Sequence, residues 1–171
     1  ILALAERLAP DPSLVPANAD DRVKMYGLAN EVLGEGGLLW SFRSLAIKEG
    51  LTSNGQRGFV VPAAKYLARR YVDSAERTAQ APARIESALA VLAAALGDKP
   101  YYFGEKPCAL DFYSAAALHL MKPLPHDTCP MDAHLRQAFE SMATVAPPIA
   151  DALLVHRDRV LERHFELPFV I

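Results

Sequence analysis

Cysteine is nearly missing from this sequence. Cys108 and Cys129 are the two present among 171 residues, and they form neither a CxxC pair nor any spacing that would hold a metal. A disulfide scaffold is thereby excluded, and a reduced, cytoplasmic compartment is the default expectation. An excess of charge of one sign is missing too: 18 Lys and Arg against 20 Asp and Glu give a net charge of −2. Nucleic-acid binders show a basic face or stripe. The local cluster Lys65, Arg69 and Arg70 lies at helical spacing and reads as solvated surface, so no nucleic-acid partner is expected. No apolar run of about 18 residues occurs, so no membrane partner is expected either. There is no secretory h-region. Glycine is sparse, and GEGG at 34–37 lacks both a preceding strand and the GxGxxG spacing of a phosphate cradle. His119, His126, His134, His156 and His164 offer no i, i+4 pair and no cysteine partner, which argues against zinc. His156 and His164, eight apart, read as surface or helix-dipole residues. No serine carries a triad motif, and nothing near Glu35 would tune it as an acid or base.

What is present is helical periodicity. Half of the residues are hydrophobic, enough for one domain of this length to bury a core. Ile1, Leu2, Ala5 and Leu8 repeat like one helix face, so the sequence reads as beginning inside an element and an upstream segment is expected. Pro10, Pro12 and Pro16 make 10–19 a linker. Asn18 or Asp20 can cap the helix that follows, in which Val23, Tyr26, Asn30 and Leu33 keep a loose 3.6-residue period. Gly27 lies on that face and would let a backbone or a ligand come close. A kink or break is expected at GEGG, since each glycine costs roughly 1 kcal/mol of helix relative to alanine. LLWSFRSLAI resumes the pattern, and GLTSNGQRGF is a loop by composition. The stretch 60–80 reads as helix with Pro62 near its start, and Pro82 is expected to interrupt it. Ile85, Leu89, Leu92 and Leu96 then form one stripe that ends at Gly97. Later come a helix over 108–122 stopped by Pro123 and Pro125, and one carrying Leu135, Phe139 and Met142. Pro147 and Pro148 are expected to open a last helix that turns Ile149, Leu153, Val160 and Leu161 inward and Arg157, Asp158, Arg159 and Glu162 mostly outward. FVV at 59–61 and FVI at the C-terminus are too short to make a sheet. The expected fold is all-α, six or seven helices.

The segment YYFGEKPCALDFYSAAALHL, 101–120, carries the most information. Cys108 is the N-cap candidate and Asp111 stands three residues later, the spacing of a capping box. Asp111 can reach back to the cap amide, and its charge suits the positive end of the helix dipole. Sulfur is a weaker acceptor than a hydroxyl. Behind the box the helix is apolar nearly all round, which places it at the centre of a bundle. A second reading makes Cys108 a reactive thiol, since helix N-termini depress thiol pKa.

This order resembles the C-terminal all-α domain of the cytosolic glutathione transferases. In that family a Y-L-x-G turn precedes a central buried helix that opens with Ser/Thr-x-x-Asp. Here the turn is YYFGEKP and the box is CALD, with Cys108 departing from Ser or Thr. ARIESALAVLAAALGDKP resembles the family's helix leading into the turn. PSLVPANADDRVKMYGLANEV resembles its linker and first all-α helix. The resemblance implies that 1–9 is the tail of the last helix of a thioredoxin-like domain, 10–19 the interdomain linker and 20–171 the all-α domain.

By the same resemblance, glutathione is the expected co-substrate, held mainly by the thioredoxin-like domain. The reaction is thiolate attack on a small hydrophobic electrophile, and a homodimer is expected. Met25, Tyr26, Asn30, Trp40 and Phe42 are candidates for the electrophile wall, with core packing the competing role of Trp40 and Phe42. Asp20 or Asp21 occupies a position from which some members reach the glutathione amino group across the dimer; capping a helix is the alternative. No catalytic residue transfers, so 1–171 alone is expected to show little or no transferase activity. The competing function is a non-catalytic helical module for ligand binding or protein interaction.

Overall fold

Asn18 starts the bundle. Its side-chain Oδ1 accepts the N–H groups of Asp20 and Asp21 at 2.9 and 3.0 Å, two of the donors that a helix start leaves unpaired. The computed structural model describes residues 1–71 and 74–168. Among these, α1 spans Leu2–Leu8, α2 Ala19–Leu33, α3 Leu38–Thr52, α4 Val61–Arg70 and α5 Ala75–Leu96. Then follow α6 at Ala109–Met121, α7 at Ala133–Glu140 running into a 3-10 turn at Ser141–Thr144, and α8 at Asp151–His164. No strand occurs among the described residues; FVI at 169–171 lies outside them. The fold is therefore all-α, with seven α-helices following α1.

The central element is α6. Leu110, Ala115, Ala117 and Leu118 are buried in it, and so are the polar Asp111, Ser114 and His119. It packs against α2, α3, α7 and α8, while α3 packs on α4 and α5. Each leucine taken fully out of water contributes roughly 1.5–3 kcal/mol, so α6, buried on all but the face that carries Phe112, Ala116 and Leu120, is where much of the core energy concentrates. Ile85, Leu89, Leu92 and Leu96 are all buried, as their stripe implies, and Gly97 ends α5. The break at GEGG falls between α2 and α3. There Arg84 of α5 donates to the Gly36 carbonyl at 2.8 Å and pairs with Glu31 at 2.7 Å.

Three expectations are corrected. Pro82 does not interrupt: α5 runs through it, because Thr78, Ala81 and Ile85 continue one buried stripe across the proline. The interruption lies earlier, between Arg70 and Ala75, where the Ser74 hydroxyl accepts the Arg77 N–H as N-cap. On α2, Val23, Tyr26, Asn30 and Leu33 face outward; Met25 and Val32 are the residues that reach the core. On α8, Arg157 and His156 are buried, against the expectation of an outward Arg157 and a surface His156.

The buried bases have a structural reason. Pro123, Pro125 and Pro130 remove three N–H donors from the 122–132 connection, and carbonyls there take donors from elsewhere. Arg157 donates to the Lys122 carbonyl, and Arg136 to the Leu124 and Cys129 carbonyls at 3.2 and 2.7 Å. His119 Nδ1 accepts the Leu124 N–H at 3.2 Å. Burial first, then the nearby guanidinium groups of Arg157 and Arg136, push the His119 imidazole down to about 4. It is thus an uncharged acceptor at neutral pH. On the opposite connection, Gly58 at φ +65° packs where a Cβ would fall 2.2 Å from the Ala46 carbonyl oxygen. Its N–H donates to Ser141 Oγ at 2.9 Å, joining the α3–α4 loop to the end of α7.

Candidate functional site

Asp111 organises the region. It is fully buried, and a buried carboxylate is tolerated only when its oxygens are well supplied with donors. Oδ2 accepts the Cys108 N–H at 2.7 Å, completing the capping box, and Oδ1 accepts the Tyr102 N–H at 3.0 Å. His156 Nε2 of α8 lies 2.8 Å from Oδ1. One side chain therefore joins the start of α6, the preceding turn and the last helix. The linker is attached at the same point: the Leu14 carbonyl accepts the N–H of Ala109, the first residue of α6, at 2.8 Å. Glu6 of α1 in turn accepts the Leu14 N–H at 2.9 Å.

The turn held in this way is closed by reciprocal Tyr101–Gly104 backbone hydrogen bonds of 3.2 Å. Gly104 has φ +118°, a conformation that side chains other than glycine's rarely adopt. Tyr101 is further fixed by its hydroxyl, 3.0 Å from His164 Nε2, and the Tyr102 ring lies edge-on to His156 at 5.1 Å between centroids. Tyr102, Phe103 and Gly104 thereby form one wall of a cavity of about 710 Å³. The end of α5 adds Ala95, the turn after it Lys99, and α2 adds Asp21, Lys24, Gly27 and Leu28. No heavy atom lies within 4 Å of a Cβ built on Gly27, so the missing side chain leaves open space in that wall. The lining combines an apolar part, Leu28, Ala95 and Phe103, with the acid Asp21 and the ammonium groups of Lys24 and Lys99.

Neither buried acid beside the cavity is a ready nucleophile. Burial pushes the Tyr102 phenol far above its ordinary range. Burial and the adjacent Asp111 carboxylate push the Cys108 thiol up to about 12. Both stay protonated at neutral pH, so neither is an activated nucleophile, and the surroundings of Cys108 oppose the reactive-thiol reading. No group of three or more His, Cys, Asp or Glu residues among the described residues could hold a metal ion. No helix among them is long and apolar enough to cross a membrane.

The wall candidates do not converge. Met25 and Phe42 are in the core. Tyr26 and Asn30 lie on the outer face of α2. Trp40 is half-buried elsewhere, with the Arg43 guanidinium 4.4 Å from its ring centroid. Asp21 lines the cavity while Asp20 is exposed outside its lining, and the helix cap is Asn18. Sequence reasoning missed Lys24 and Lys99 as lining residues, and His156 as the partner of Asp111. One signal pointed to the last: an acid at the start of a helix apolar all round needs more donors than its own capping box supplies. Comparison of the chain with family models, with curated proteins and with solved structures finds no match in any of the three.

Proposed function

We propose that this chain is the helical part of a glutathione transferase-like protein, contributing the apolar wall for a small hydrophobic electrophile and a homodimer surface. The observation that carries the reading is the knot at Asp111. A capped, centrally buried helix, the turn before it and the linker from α1 meet at one carboxylate and one helix start. That arrangement suits a domain whose linker must hold a fixed angle toward a neighbour. The cavity beside the knot supplies the ligand space. Leu28 and Phe103 suit an apolar body, and Asp21, an acid in the same lining, would suit a cationic amino group such as that of glutathione. Thiol activation is assigned to a thioredoxin-like neighbour, because the buried Tyr102 and Cys108 hold their protons. That same absence of an activated nucleophile near the cavity favours a second reading, a non-catalytic helical module that binds an apolar ligand.

The test is a glutathione-affinity and thiol-conjugation assay on residues 1–171 and on the product of the coding sequence extending upstream of Ile1. The enzyme reading expects roughly 70–80 upstream residues with a βαβ pattern. It also expects conjugation by the longer product and little or none by 1–171. An upstream sequence without that pattern, or a longer product inert toward glutathione, leaves the non-catalytic module standing instead.

A further inference from the structure

The start of α3, the end of α4 and the start of α5 meet at a second cleft, of about 500 Å³, which shares no lining residue with the cavity beside Asp111. Two aromatic rings form its wall. Trp40 and Tyr71 stand edge to face at 5.8 Å, and the Arg43 guanidinium lies 4.4 Å from the first ring centroid and 3.7 Å from the second. A cation held over two rings fixes both of them in place. The remaining described lining residues are Arg70, Arg77, Ser74 and Glu35. Arg70, in the last turn of α4, makes no ion pair with another described residue. Arg77 meets Glu35 at 2.9 Å, with both side chains at least half exposed. Exposed pairs of this kind contribute about 0–1 kcal/mol, so Glu35 is easily exchanged for a better anion.

We infer that this cleft binds an oxyanion carried on a flat apolar body: the oxyanion between Arg70 and Arg77, the flat body along Trp40 and Tyr71. Guanidinium groups present planar forks of donors that match phosphate and carboxylate oxygens. The volume falls in the range of small-molecule sites. Among the described lining residues Glu35 is the one acid, so it acts as an internal competitor for Arg77. The site owes nothing to the thiol chemistry proposed above and stands or falls separately from it.

Trp40 is the sole tryptophan of the chain, so its emission reports on this wall alone. The experiment titrates the full chain with phenyl phosphate, with inorganic phosphate and phenol as parallel arms. Expected is a saturable change in Trp40 emission with phenyl phosphate, binding of inorganic phosphate about tenfold weaker, and no saturable response to phenol. Arg70→Gln should weaken phenyl phosphate by about tenfold, the scale of a lost charged hydrogen bond, and Glu35→Gln should tighten it severalfold. Both positions are exposed, and unchanged far-UV circular dichroism confirms that the variants fold. No saturable response to phenyl phosphate overturns the proposal. So does an equal response to phenol, or an Arg70→Gln variant that binds like the parent.

Discussion

Asp111 has no water to fall back on. Its carboxylate takes hydrogen bonds from Cys108, Tyr102 and His156, and His156 Nδ1 makes none among the described residues, so the hydrogen on Nε2 is the one available to the acid. Replacing Asp111 with Asn keeps the shape and turns one acceptor into a donor that faces an N–H. A buried donor left opposite a donor costs its desolvation, and the lost charge weakens the remaining bonds. Asp111→Asn should therefore lower stability by about 3 kcal/mol, read as a fall in the urea midpoint at unchanged m-value. A loss below about 1 kcal/mol would mean that the carboxylate is not the joint of the fold. Half of this joint was legible in the sequence. Cys108 and Asp111 stand at capping-box spacing, a local signal. His156 lies 45 residues further on, and the order of residues along α8 does not say which helix its histidine will face.

At the scale of elements, periodicity located helices better than it oriented them. The stripe on α5 was readable because Ile85, Leu89, Leu92 and Leu96 are large and most of the residues between them are alanines. On α2 the outward residues Val23, Tyr26 and Leu33 are as apolar as the inward Met25 and Val32, so either stripe satisfies the period. Arg157 misled for a different reason. A charged residue reads as exposed until a proline-rich connection elsewhere needs its donors. Pro82 is the clearest conflict between local propensity and packing. Eight residues into α5, it removes the N–H that would bond the Thr78 carbonyl, and the helix persists because the stripe from Thr78 to Leu96 is buried. Pro82 itself is exposed, so replacing it disturbs no core contact. Pro82→Ala should raise stability by about 1 kcal/mol, the recovered helix energy less the entropy that proline removes from the unfolded chain. Thermal unfolding reads this directly; an unchanged or lower midpoint would show that the helix around Pro82 is already relaxed.

The whole molecule leaves α2 apolar on two sides. Its inner residues meet α6 and the core, while Val23, Tyr26 and Leu33 on the outer side are 73, 46 and 47 % exposed. Scattered exposed hydrophobics are ordinary, but three along one face of one helix, with Asn30 among them, form a strip, and such strips favour association. A helix apolar on opposite faces is stable when both faces are covered, and a second copy of the chain covers the outer one in the proposed homodimer. The consequence is a concentration-dependent sedimentation coefficient. Val23→Glu combined with Leu33→Glu places a charge near each end of the strip without touching Met25 or Val32. The pair should raise the dimer dissociation constant by more than about tenfold and leave urea unfolding at low concentration unchanged. A parent chain that sediments as a monomer at every concentration would refute the self-association. A double variant that still dimerises would place the contact on another face.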